Sequence, residues 1–122
     1  MTKAFKLAAS QIRPIAVGFG SYLASDRITV DGRPVGFMYR EVPDSGGASG
    51  WRFFSGGETQ EYADDPANFT LYDINTIANY EPSVTEFLDA PPLSAFGRNA
   101  WGEFEPEDMP VDDPRSKLSE MR

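Results

Sequence analysis

The sequence predicts an α+β fold: a single domain on a mainly antiparallel sheet, arranged as a β-meander, with a few short helices in the second half. Three observations lead there. As far as Ser55, short β-prone and aromatic runs alternate with turn-forming residues. From Thr59 onward, Thr, Asp and Pro stand where short helices begin. The length of 122 residues suits one core, and such a chain buries about two-thirds of its unfolded surface without a disulfide or structural metal.

Residues 1–20 form an N-terminal segment in which Gly18-Phe19-Gly20 is the turn into the sheet. Tyr22 to Ala24 and Ile28 to Val30 are short β pieces, and Asp31-Gly32 is a turn signal. Val35 to Val42 alternates, with Val35, Phe37 and Tyr39 on one face and Met38 and Arg40 on the other. Pro43 to Gly50 has little to pack and reads as a mobile loop. Trp51 to Ser55 returns as an aromatic strand. Pairing Val42 with Trp51 sets Glu41 opposite Arg52, a modestly stabilising pair. Thr59 to Ala63 makes one helical turn, and Asp65-Pro66 has the cap-then-proline order of another helix start. Phe69 to Tyr72 reads as a strand. Asp73 caps a turn through Asn75 to Asn79, and Pro82 opens a helix over Ser83 to Leu88 whose Val84, Phe87 and Leu88 form an apolar stripe. Phe96 and Trp101 to Phe104 add an edge strand. The domain therefore spans 21–104. Prolines and carboxylates leave residues 105–122 little to bury, so they are expected to form an acidic, flexible tail.

Nineteen acidic and 11 basic side chains give a net charge of −8, and there is neither histidine nor cysteine. The first absence excludes a Ser-His-Asp triad, a His general base and a His-ligated metal. The second excludes a thiolate nucleophile, a zinc finger, an iron–sulfur cluster and a disulfide. The acidic balance argues against binding nucleic acid or an anionic membrane. No run approaches the roughly 20 apolar residues of a membrane span. Ser10, Gln11, Arg13 and Pro14 break any signal-peptide apolar region, so the cytoplasm is the expected location. Charge is also uneven along the chain. No Lys or Arg occurs from Phe53 to Gly97, a window holding Glu58, Glu61, Asp64, Asp65, Asp73, Glu81, Glu86 and Asp89. A negative face follows whatever the fold.

Several patterns invite chemistry. Gly18-Phe19-Gly20 lacks the third glycine of a dinucleotide loop, since position 23 is Leu23, and no helix is expected to follow. Ser55 lies between Phe54 and Gly56, but Phe53 stands where a nucleophile elbow needs glycine, so a structural serine closing the strand is the better account. Glu58, Glu61, Asp64 and Asp65 could hold Ca²⁺ or Mg²⁺ through oxygen ligands, yet they lack the spacing and the glycine of an EF-hand loop. A solvated face explains them equally well. Tyr39, Arg40 and Trp51 are of the residue types enriched at interface hot spots, and equally serve as the core of a small sheet.

The blocks Ala24-Ser25-Asp26-Arg27-Ile28-Thr29-Val30, Val35-Gly36-Phe37-Met38-Tyr39-Arg40-Glu41 and Gly50-Trp51-Arg52-Phe53-Phe54-Ser55-Gly56 occur in order, followed by Tyr72 to Tyr80 and Ser94-Ala95-Phe96. From Ser21 to Phe96 the chain resembles the bacterial immunity-protein-thirty-three family. One departure is Gly57, where an acidic residue often precedes the position of Glu58. The resemblance implies an α+β, non-enzymatic protein of polymorphic toxin systems that binds and neutralises a cognate toxin, with no catalytic residues and no cofactor. Many such toxins act on nucleic acids and are basic, so an acidic inhibitor would be steered to them. A basic nuclease is thus the partner expected. The residues expected at the interface are Tyr39, Arg40, Trp51, Glu58, Glu61, Asp64, Asp65, Tyr72, Asp73 and Asn75, with Trp51 and Tyr72 as anchors. The alternatives are a small metal-dependent (Ca²⁺ or Mg²⁺) binder or enzyme using the carboxylate cluster, and a housekeeping interaction module. The oligomeric state is left open.

Overall fold

A computed structural model describes residues 5–42 and 48–109. Its strands are β1 (Ser21–Ser25), β2 (Phe37–Arg40), β3 (Ala48–Phe54), β4 (Phe69–Asp73), β5 (Ala95–Arg98) and β6 (Phe104–Glu107). Its short α-helices are α1 (Asp26–Thr29), α2 (Gln60–Ala63) and α3 (Ile74–Tyr80), and 3₁₀ turns cover Ala9–Gln11, Pro66–Asn68 and Pro82–Phe87. The strands form one sheet in the order β4-β1-β3-β2-β5-β6. The α+β class and the mainly antiparallel sheet are those the sequence predicts. The chain order is not a simple meander, because β1 lies parallel to β3 while every other neighbouring pair is antiparallel.

Local chemistry accounts for most boundaries. Thr59, Asp65 and Asp73 accept the first free N–H groups of α2, of Pro66–Asn68 and of α3 respectively, as the cap residues suggest. Pro82 opens its 3₁₀ turn, where a missing N–H costs nothing. Ile28 to Val30 differs from expectation. The Ser25 hydroxyl accepts from Arg27 N at 3.2 Å and turns the chain into α1. A cap thereby overrides β propensity, and Ile28 drops into the core. The expected loop at Pro43 to Gly50 lies outside the described residues up to 47, whereas Ala48–Gly50 begin β3. At the far end, Glu105–Glu107 complete β6 instead of starting the tail, and Trp101 sits in the turn before that strand.

The β2–β3 register is offset by two residues from the expected one. Arg40, not Val42, faces Trp51, and Tyr39 faces Arg52. Because side chains alternate with period two, the offset leaves Phe37 to Arg40 on their expected faces, whereas Val35, expected beside Phe37 and Tyr39, precedes the strand and packs in the core with Met38. Glu41 and Arg52 still meet, now diagonally, as a 3.1 Å ion pair.

One face of the sheet carries the core. Tyr22, Ala24, Met38, Trp51 and Phe53 pack there against Ile74, Ile77 and Ala78 of α3 and against Val84 and Leu88. Full burial contributes about 1.5–3 kcal/mol for each large aliphatic side chain. Two asparagines of α3 tie the N-terminal segment to this layer. Asn75 Oδ1 accepts from Ile15 N and Ala16 N, its Nδ2 donates to Arg13 O, and Asn79 brackets Arg13 from both sides. The opposite face carries an aromatic row. Phe37 and Tyr39 meet Phe54, Phe54 meets Phe69, and Tyr62 of α2 closes the row under the Arg27 guanidinium.

Candidate partner-binding surface

Of the residues expected at an interface, the aromatics and Arg40 turn inward. Trp51 is 1% exposed; it stacks on Phe53 and donates Nε1–H to Leu88 O at 3.3 Å. Arg40, on the same face, donates Nε–H to Ser49 O at 2.8 Å and an Nη1 proton to Ala90 O at 2.7 Å. Together they hold the end of the Pro82–Phe87 turn against the sheet. Tyr39 is 2% exposed and stacks parallel on Phe54. Tyr72 is half-buried, stacks on Tyr22 and donates its hydroxyl to Thr29 Oγ1 at 3.1 Å. Burial pushes its phenol pKa up, and the hydrogen bonds with Thr29 and Thr70 offset only part of that rise. The Asn75 amide is engaged in the clamp on residues 13–16.

The carboxylates divide. Glu58 is a structural latch: it accepts from Ser55 N at 2.8 Å and Gly56 N at 2.9 Å. Partial burial raises its pKa, but hydrogen bonds from the Ser25 hydroxyl and from the Ser55, Glu58 and Gly56 N–H groups outweigh that and lower it overall. A carboxyl lowered in the folded state stabilises the fold above its unfolded pKa, and that stability is lost as pH falls through the folded value. Glu58→Gln is expected to cost about 1–3 kcal/mol at neutral pH, the range for losing charge-assisted hydrogen bonds. Denaturant unfolding followed between pH 7 and pH 3 should show the deficit shrinking toward the acid end.

Glu61, Asp64 and Asp65 remain exposed on α2 and the turn that leads into β4, and Asp73 is exposed at the other end of that strand. Between them lies Leu71, 64% exposed on an edge strand. The structure thus gathers an acidic margin along the β4 edge. It does not bring Arg40, Trp51 or Tyr39 to that margin. Among the described residues, no three Asp or Glu side chains converge in a metal-binding group, and no helix is long and apolar enough to cross a membrane.

The expected set omits the most exposed large hydrophobic side chain among the described residues. Trp101, at the tip of the β5–β6 hairpin, is 84% exposed. The available signal was its place in Asn99-Ala100-Trp101-Gly102, a turn sequence in which an indole has no strand face to occupy.

A family model described as the immunity protein Imm33 domain matches residues 22–107. The chain belongs to the Imm33 family. No curated protein and no solved structure matches it. In this Imm33 domain the match begins inside β1 and ends with the last residue of β6. It therefore takes in the whole sheet, the acidic margin and the Trp101 hairpin, while the segment clamped by Asn75 and Asn79 precedes it.

Proposed function

We propose that this Imm33 domain is a non-enzymatic immunity protein of a polymorphic toxin system, which binds a cognate bacterial toxin in the cytoplasm and occludes its active site. The family match across the entire sheet carries the reading. Electrostatics supports it and suggests the class of toxin. A net charge of −8, with exposed carboxylates along the β4 edge, suits a basic partner such as a nuclease. Complementary charge raises association rates far above those of neutral surfaces.

The test is co-expression with the toxin encoded by the adjoining gene, followed by affinity capture on a tagged copy of this chain. Cells should survive only when the immunity protein is present, and the two proteins should elute together. A toxin that still kills, with no complex recovered, overturns the proposal.

A further inference from the structure

The β5–β6 hairpin presents an exposed indole on a turn tied by its own hydrogen bonds. Asn99 Oδ1 accepts from Trp101 N at 2.9 Å and from Glu103 N at 3.1 Å, Asn99 N donates to Glu103 O, and Gly102 N donates to Asn99 O. From beneath, Arg98 donates to Gly102 O at 2.8 Å and to Val35 O at 2.9 Å; its guanidinium lies 3.9 Å from the Phe104 ring centroid and pairs with Glu81 at 3.0 Å. Every one of these turn bonds uses the Trp101 backbone or other residues, so the indole adds little to the fold. Tryptophan is largely buried in most proteins and is the residue type most enriched at binding hot spots.

The surroundings indicate the chemistry of the partner. Glu103, Glu105, Glu107 and Asp108 are all exposed in or beside β6, and Arg98, the nearby cation among the described residues, is committed internally. A second copy of this chain would bring like charge to like charge. A sheet extension is also disfavoured. Arg98 N reaches Gly36 O just ahead of β2 and Asn99 N reaches Glu103 O, so Phe96 faces Pro106 in a non-hydrogen-bonded position. The Pro106 nitrogen then lies on the outer edge, where it cannot donate to an added strand.

We propose that the β5–β6 hairpin is the toxin-docking element of this protein: the Trp101 indole enters an apolar recess on a basic protein surface, and Glu103, Glu105, Glu107 and Asp108 pair with cations around it. The inference rests on the immunity reading and supplies the aromatic anchor that the buried Trp51 cannot; it sets the contact at the β6 edge, opposite β4, whose carboxylates then act on the partner only through the overall charge.

The test uses the full chain and the toxin from the adjoining gene, with binding followed by surface interferometry. Trp101→Ala should keep the wild-type circular dichroism and melting midpoint. It should weaken binding by about thirtyfold, mainly through faster dissociation, and Trp101→Phe should recover part of the loss. The double variant Glu103→Lys/Asp108→Lys should slow association several-fold and flatten its salt dependence. Acrylamide should quench Trp101 in the free protein and lose that access in the complex, read as the difference between wild type and Trp101→Phe. Unchanged affinity of Trp101→Ala, or a wild-type complex whose Trp101 stays quenchable, overturns the docking assignment and leaves the immunity reading standing. An unchanged association rate for the charge variant overturns the basic partner surface. If wild type forms no complex at all, both proposals fall together.

Discussion

Truncating Trp51 to alanine is expected to remove about 3–5 kcal/mol of stability, the range for emptying a large aromatic site in a core. The side chain is 1% exposed, stacks on Phe53 with ring centroids 6.0 Å apart, sits 6.4 Å from Phe96 and lies beneath the Arg40 guanidinium. Its Nε1–H is bonded to Leu88 O, so the truncation both opens a cavity and strips a buried carbonyl of that donor. Domains of this size hold about 5–15 kcal/mol in total, so the variant should unfold at a far lower urea concentration, or fail to accumulate. Trp51→Phe keeps most of the packing and loses only the hydrogen bond and part of the volume. It should fall between wild type and alanine when unfolding is followed by circular dichroism.

Gly50→Ala is the second substitution expected to act strongly. Gly50 has φ +86, and a Cβ there would run into the Glu41 carbonyl oxygen. Glu41 N donates to Gly50 O at 2.9 Å, so the two backbones cannot separate without losing a ladder bond. Left-handed strain and the collision together should cost about 2–4 kcal/mol. Gly57→Ala is the control, since nothing lies within 4 Å of a Cβ there. Its unfolding midpoint should stay close to wild type while that of Gly50→Ala drops.

The sequence was most informative where structure is decided locally. Thr59, Asp65, Asp73 and Pro82 mark their helix starts because capping needs only neighbours two or three residues away. The alternation of Phe37 to Arg40 assigned both faces of β2, since pleating fixes side-chain direction within one strand. It could not set the register against β3, because an offset of two residues preserves every face. The actual pairing, Arg40 with Trp51, positions the Arg40 guanidinium to bridge Ser49 and Ala90 carbonyls.

The same limit governed the surface. Trp51 opens an aromatic run and Trp101 sits inside a turn sequence, but that local context does not decide how deeply either indole is buried. What separates them is distance in the chain. Trp51 is buried by residues from β2, from β5 and from the Pro82–Phe87 turn, whereas Trp101 lies beyond the end of its strands and is 84% exposed. Glu58 and Asp73 both belong to the basic-free window, yet one folds back onto Ser55 and Gly56 while the other caps α3 and stays in water. By itself the sequence determined the α+β class, the helix starts, the strand faces and the sign of the surface charge, because composition, capping and pleating act over a few residues. The tertiary structure alone decided the strand order with β1 parallel to β3, the two-residue register, and which tryptophan faces the solvent, because each depends on pairing segments tens of residues apart.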